Sequence, residues 1–435
     1  MTGTAPPGGR DGPHRPDPHR PALRTVLAGL CVTEIVSWGV LYYAFPVLAP
    51  RIAADTGWSN ASITAAFSAG LVVAAVVGIP VGRMLDRRGP HVLMTAGSVL
   101  AVLALVLIAR ATSFGAFAVG WIVAGLAMAG VLYPPAFAAL TRWYGPRRLV
   151  ALTAVTLIAG LASTVFAPLT EVLAARWDWR ETYLSLAVGL AVVTVPVHAV
   201  VLRRPWPAEP MVTPVGQEGG TPGAVGAREA TPGVASSDAG YAQGVVRSRP
   251  FVLLTVGMTA GVLAMFAALI NLVPLLAERG ASSSLAAIAL GAGGIGQVAG
   301  RLGYAALNRR LGVRPRTLVV YGVIPVTTAA FVLGPNHAAW LLFVAIAAGV
   351  GRGIATLLQA TAVTDRWGPR AYGRISGVLS APIMAASALA PWLGAGGAEL
   401  LGSYAAMYLA LAGLGVLAVV LLAFSVPEPP ARRRL

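Results

Sequence analysis

The chain has 435 residues, 57% of them hydrophobic and only 11% charged, with a mean hydropathy of +0.74, which excludes a soluble globular domain. Its formal charge of +16 sits in short arginine clusters between long apolar runs, a pattern of membrane topology and not of a nucleic-acid groove. The single cysteine, Cys31 in the first apolar run, excludes an intramolecular disulfide and a cysteine-built metal site.

Residues 1–24 are rich in Pro, Gly and Arg and lack the apolar middle of a secretory signal, so a disordered tail is expected there. A membrane-spanning helix needs about 20 mostly apolar residues. Twelve such stretches follow: 25–48, 61–82, 91–111, 115–140, 150–174 and 181–202, then 251–276, 284–307, 316–334, 338–363, 374–397 and 403–425. They are spans one to twelve of an all-α membrane protein. The connections holding Arg87/Arg88, Arg142/Arg147/Arg148, Arg203/Arg204, Arg309/Arg310 and Arg366/Arg370 alternate with connections that are sparse or mixed in charge. Both termini are therefore expected in the cytoplasm. The absence of lysine and the abundance of Ala, Gly, Arg and Pro suggest a GC-rich bacterial genome, hence a bacterial inner membrane.

Residues 205–249 are Pro-, Gly-, Ala- and Ser-rich with no periodic apolar face, and are expected to form a flexible cytoplasmic linker. The linker divides an N-terminal six-helix bundle, 25–204, from a C-terminal one, 250–426, which a tail follows at 427–435. The halves repeat. Arg142-Trp143-Tyr144-Gly145-Pro146-Arg147 is echoed by Arg366-Trp367-Gly368-Pro369-Arg370 at an offset of 224, while Pro168 is echoed by Pro391 and Gly89 by Gly312, both at 223. Spaced matches at nearly one offset indicate a parallel 6+6 repeat.

Between spans two and three the sequence reads Gly82-Arg-Met-Leu-Asp86-Arg87-Arg88-Gly89. Gly82 allows a neighbouring helix to approach, Asp86 can accept from a helix N-terminus or pair with an Arg, Arg87 holds the turn on the cytoplasmic side, and Gly89 permits the reversal. This G-x-x-x-D-R-x-G resembles the loop 2-3 signature of the major facilitator superfamily of transporters. Trp38-Gly39 with Tyr42, Gly57-Trp58-Ser59, Trp179-Arg180, Leu272-Val-Pro274-Leu and Gly300-Arg301-Leu302 extend the resemblance to its bacterial branch related to monocarboxylate and oxalate/formate transporters. Two positions depart from that branch: Gln297 stands where monocarboxylate transporters carry Asp, and no late lysine is present. The resemblance implies two six-helix bundles rocking about a central cavity, with spans one, four, seven and ten lining it and spans two, five, eight and eleven flanking it.

Ionisable side chains deep in a bilayer cost roughly 2.5–3.5 kcal/mol on insertion scales, so each is a functional candidate. There are three: Glu34, Arg301 and Arg352. Arg301 offers a fork of donors suited to a carboxylate, or else ties span eight to a backbone carbonyl. Glu34 either carries a proton as water access changes sides or forms a static pair with Arg352 joining the halves. Tyr42, Asn271 and Gln297 are further candidate substrate contacts, among polar residues that include Trp38, Tyr43, Tyr133, Gln359 and Ser380.

No phosphate-cradling loop, metal-ligand spacing or nucleophile–base set occurs. The expected protein is therefore a cofactor-free transporter and not an enzyme. On these residues it moves a small organic anion, monocarboxylate-like, together with a proton by alternating access, functioning as a monomer in the lipid bilayer. A proton-driven exporter of drugs or secondary metabolites is the alternative. A non-transporting sensor or scaffold is a third, remote one.

Overall fold

The computed structural model describes residues 20–206, 232–368 and 370–427. Every regular element among them is helical. The twelve spans are Leu23–Thr56, Asn60–Arg88, Pro90–Ala109, Phe114–Tyr144, Val150–Ala174, Trp179–Val201, Arg249–Ile270, Ser283–Arg310, Val313–Leu333, Ala338–Trp367, Tyr372–Leu401 and Tyr404–Ala423. Span one is the longest. It continues past Pro50 to Thr56, ended by Gly57 in the left-handed region.

Local sequence decides where the helices start. Every even-numbered span begins at the end of the molecule remote from the first and last described residues, and each carries a side-chain cap there. Ser59, Ser113, Asp178, Ser282, His337 and Ser403 accept from the backbone N–H three residues on. Such a cap satisfies one of the four donors a helix start leaves open, and contributes about 1 kcal/mol. Spans three and seven begin with a proline in the first turn, where its missing N–H costs nothing. Gly89 makes the reversal between spans two and three at φ 75°.

The two halves meet along two seams, span two against span eleven and span five against span eight. At the remote end they are joined by hydrogen bonds. Glu399 Oε1 accepts from Ala61 N–H at 2.9 Å, and Ser68 Oγ accepts from Trp392 N–H at 3.2 Å. Thr164 Oγ1 donates to the Gly291 carbonyl at 2.8 Å. Toward the end that carries the first and last described residues, the terminal end, spans two and eleven part. A Cβ built on Gly78, Gly82, Gly373 or Gly377 would meet nothing within 4 Å. The close helix approach expected at Gly82 is thus not made in this conformation.

Spans eight and ten pack on glycine. A Cβ on Gly296 or Gly300 would overlap the carbonyls of Ile346 and Val350, and one on Gly349 or Gly353 those of Gly293 and Gln297. Small residues four apart on both helices bring the backbones together, the usual way helices associate where lipid removes the hydrophobic drive.

Within the stretch expected to be flexible, Pro232–Arg247 is a helix. Its Ala242 and Val245, three apart on one face, are buried in a cluster with Phe251, Ile375 and Leu379 of spans seven and eleven. Residues 207–231, and the tails at 1–19 and 428–435, lie outside the described residues. The ends of the linker grip related positions of the two halves. Trp206 meets Trp143 edge-on at 5.6 Å beneath the Arg142 guanidinium, and Tyr241 donates to the Trp367 carbonyl beneath Arg370.

Candidate functional site

The site grows from an irregularity in span one. Gly39–Tyr43 forms a π-turn, inserting one residue into the helix. Such bulges occur often at functional sites because they re-aim the side chains beyond them. Gly39 makes room for it, since a Cβ there would overlap the Phe166 ring of span five. Across from it, Tyr133-Pro134-Pro135 interrupts span four, with Leu132 extended between two helical segments. Proline cannot continue the hydrogen-bond ladder. Together the two interruptions build an aromatic wall: Trp38 lies 5.4 Å from Tyr42 and 5.0 Å from Tyr133, ring centre to ring centre.

This wall bounds a cavity of about 320 Å³. Trp38, Tyr42, Tyr133 and Met128 line it from the N-terminal half, Phe266 and Met384 from the C-terminal half. Apart from the tyrosine hydroxyls, the one side-chain hydroxyl on it is that of Ser387.

Glu34 lies one turn before Trp38 and is 0% exposed. Neither carboxylate oxygen has a hydrogen-bond partner of good geometry, and the Trp38 indole is the polar group that addresses it. An ionised carboxylate so placed is costly in a low-dielectric interior. The static pair with Arg352 is not formed. Among the described residues the ion pairs are Arg51 with Glu171, Arg180 with Asp55 and Arg316 with Asp365.

Arg352 is buried too, at 5% exposure. Its Nε donates to Gln297 Oε1 at 3.0 Å and one terminal nitrogen donates to the Gly293 carbonyl at 3.2 Å, across the glycine seam. These are neutral acceptors. Tyr42 and Tyr43 are within its electrostatic reach, so Arg352 stands behind the aromatic wall. It borders a separate cavity of about 40 Å³ inside the C-terminal half, with Thr328 and Met265.

The remaining expected residues are placed differently. Arg301 donates to the Thr156 carbonyl of span five and lies beside the Tyr133 hydroxyl; the aromatic-walled cavity is not lined by it. Asn271 is 1% exposed and its amide donates to the carbonyls of Ala267 and Pro391 at 2.9 and 3.3 Å. It staples the end of the span-seven helix to span eleven. Gln297 orients Arg352. Asp86 offers its backbone carbonyl to Arg142 and Trp206 at 3.1 and 3.0 Å. Its side chain, with Arg83, Arg87 and Arg142, lines an open cavity of about 350 Å³.

The structure thus brings Glu34, Tyr42, Arg352 and Gln297 to the centre and leaves Arg301 and Asn271 in helix seams. Sequence reasoning missed Met128, Phe266 and Met384. No signal marked them, because an apolar cavity wall and a lipid-facing surface use the same residue types.

Residues 30–381 match the profile of the Major Facilitator Superfamily. The multidrug resistance protein MdtL of Citrobacter koseri is 32% identical over 161 residues, covering 36% of this chain and 40% of the relative. That of Klebsiella pneumoniae strain 342 is 31% identical over 176 residues, covering 40% and 44%. The chain therefore spans about two fifths of the length of these relatives. Among solved structures, a bacterial homolog of the human lysosomal transporter Spinster, in an inward-facing and occupied conformation, superposes with a TM-score of 0.67 at 16% identity over 93% of this chain and 96% of that one. The nucleoside transporter NupG gives 0.66 at 14% identity over 93% and 100%. With its twelve spans, its loop 2-3 turn and a cavity shared by both halves, the chain belongs to the Major Facilitator Superfamily of membrane transporters.

Proposed function

We propose that this transporter is a proton-coupled exporter of lipophilic, preferably cationic, compounds across a bacterial inner membrane. It works as a monomer, by alternating access, with both termini in the cytoplasm. One observation carries this reading: the shared cavity is walled by aromatic and methionine side chains, with a carboxyl outside every ion pair among the described residues, Glu34, buried one turn behind the wall. Aromatic faces attract cations, and methionine adapts to varied apolar shapes. The named relatives, multidrug resistance proteins, support the same choice of cargo. On this reading the N-terminal and C-terminal bundles move as units about the cavity, joined by the linker.

A second reading, a monocarboxylate-like anion moved with a proton, is supported by Arg352. It is a buried cation with no carboxylate partner among the described residues, backed by Gln297, with Arg301 within electrostatic reach.

Ligand-dependent thermal stabilisation of the purified protein separates the two. A ligand at a hundred times its dissociation constant adds about 2.7 kcal/mol. Lipophilic cations are expected to stabilise the protein. In Trp38→Ala their dissociation constants are expected to rise about thirtyfold, because a desolvated cation–indole contact contributes about 2 kcal/mol. Stabilisation by carboxylates alone, abolished in Arg352→Ala and retained in Trp38→Ala, establishes the anion reading instead.

A further inference from the structure

The geometry points to Glu399 as the latch of the remote gate: its carboxylate caps the start of span two and holds that end shut while the cavity faces the terminal side. The contact crosses the interface. Ala61, whose N–H donates to Glu399 Oε1 at 2.9 Å, is the second residue of the span-two helix. Its N–H is one of the donors that a helix start leaves open, and the first turn carries the positive end of the helix dipole. Ser59 already serves the neighbouring Ser62 N–H, so Glu399 supplies, from the other half, an acceptor for a second donor that this cap leaves open. Two turns deeper, the bond from Trp392 N–H to Ser68 Oγ continues the seam.

The related seam is built alike. Glu171 at the remote end of span five is held by both terminal nitrogens of Arg51, at 2.7 and 2.9 Å. It also reaches Ser283, the first residue of the span-eight helix. Glu278, a third carboxylate at this end, serves the N–H groups of Tyr404 and Ala405 within its own half and takes no part in the closure.

Spans two and eleven run antiparallel, and each carries an acid in its last turns: Asp86 on span two at the terminal end, Glu399 on span eleven at the remote end. In this conformation Glu399 is engaged with the start of span two. Asp86 lines the open cavity with Arg83, Arg87 and Arg142, all of the N-terminal half. Rocking the halves the other way closes the terminal end and parts Glu399 from Ala61. Glu399 therefore sets the stability of the state closed at the remote end. This inference rests on the alternating access proposed above and not on the cargo.

Accessibility labelling without any substrate tests it. With Cys31 replaced by Ser, a single reporter cysteine at Ser387, on the cavity wall, is reacted in oriented proteoliposomes with a membrane-impermeant maleimide added to one side at a time; Ala388→Cys provides a second reporter. The parent is expected to label chiefly from the terminal side. Glu399→Ala is expected to raise the remote-side rate by about two- to fivefold, the range of a surface charge–dipole contact. Glu399→Gln, which keeps an acceptor oxygen and loses the charge, is expected to fall between the two. An unchanged remote-side rate in a folded Glu399→Ala protein, or an equal rise from both sides, overturns the latch. Because no cargo is present, either failure leaves the exporter reading to its own test.

Discussion

Proton-driven efflux by Glu34→Gln is expected to fall to the level of protein-free liposomes, while the variant still folds, binds cargo and exchanges it across the membrane without a gradient. Glu34 is fully buried and takes part in no ion pair among the described residues, so the substitution removes no ion pair, and Gln keeps an oxygen for the Trp38 indole that addresses it. What it removes is the capacity to gain and lose a proton. A carboxyl buried in this way must exchange either a proton or a cationic partner when the cavity changes sides, because a lone charge in the membrane interior is expensive. Gln keeps the volume and loses the exchange. Fluorescence of a lipophilic cation in proteoliposomes with an imposed pH gradient measures driven flux, and counterflow with equal pH on both sides measures the rest. Driven flux that survives in Glu34→Gln would assign proton coupling to another group.

The largest effect on stability is expected from Gly353→Leu. A Cβ at Gly353 would already overlap the Gln297 carbonyl, and the obstruction is backbone, which cannot swing aside as a flexible side chain does. Spans eight and ten must separate, and with them goes the bond between Arg352 and Gln297. We expect a loss of about 3 kcal/mol or more, the upper range for overpacking. The matching control is Gly303→Leu on span eight, the helix that Gly353 packs against, where a Cβ meets nothing within 4 Å; there the change is expected within about 0.5 kcal/mol. Unfolding in graded detergent denaturant compares the two. Equal stability of both variants would mean that the glycine seam does not hold the C-terminal half together.

Much of this architecture was legible in the sequence, because a bilayer imposes one length on every span and leaves apolar runs of that length. The boundaries moved where a local device outweighed composition. Span one was expected to end at residue 48, yet the helix runs on to Thr56, Arg51 pairs with Glu171 and the chain is stopped by Gly57. The linker helix was missed because its apolar face is short, and it gains an advantage only against Ile375 and Leu379. At the site, Glu34 and Tyr42 were identifiable as costly or amphipathic residues on a span expected to line the cavity. Arg301 and Asn271 were singled out for the same reason, but both spend their donors on backbone carbonyls. Donor count alone does not reveal whether a carbonyl lies within reach. The latch was not visible: the loop between spans two and three marked Asp86, whereas Glu399 stands in no motif.

The lining of the central cavity also determines how finely ligands can be told apart. Rings and thioethers impose few directional demands, so affinity across such a wall follows the apolar area covered and the sign of the charge, more than the pattern of donors and acceptors. Adding or removing a methylene on a ligand changes its binding by about 1–3 kcal/mol, well short of the discrimination achieved when a buried polar group is left unpaired. A cavity of this kind sacrifices selectivity for breadth, and a homologous series of ligands should give a smooth gradient of affinities with no single preferred member.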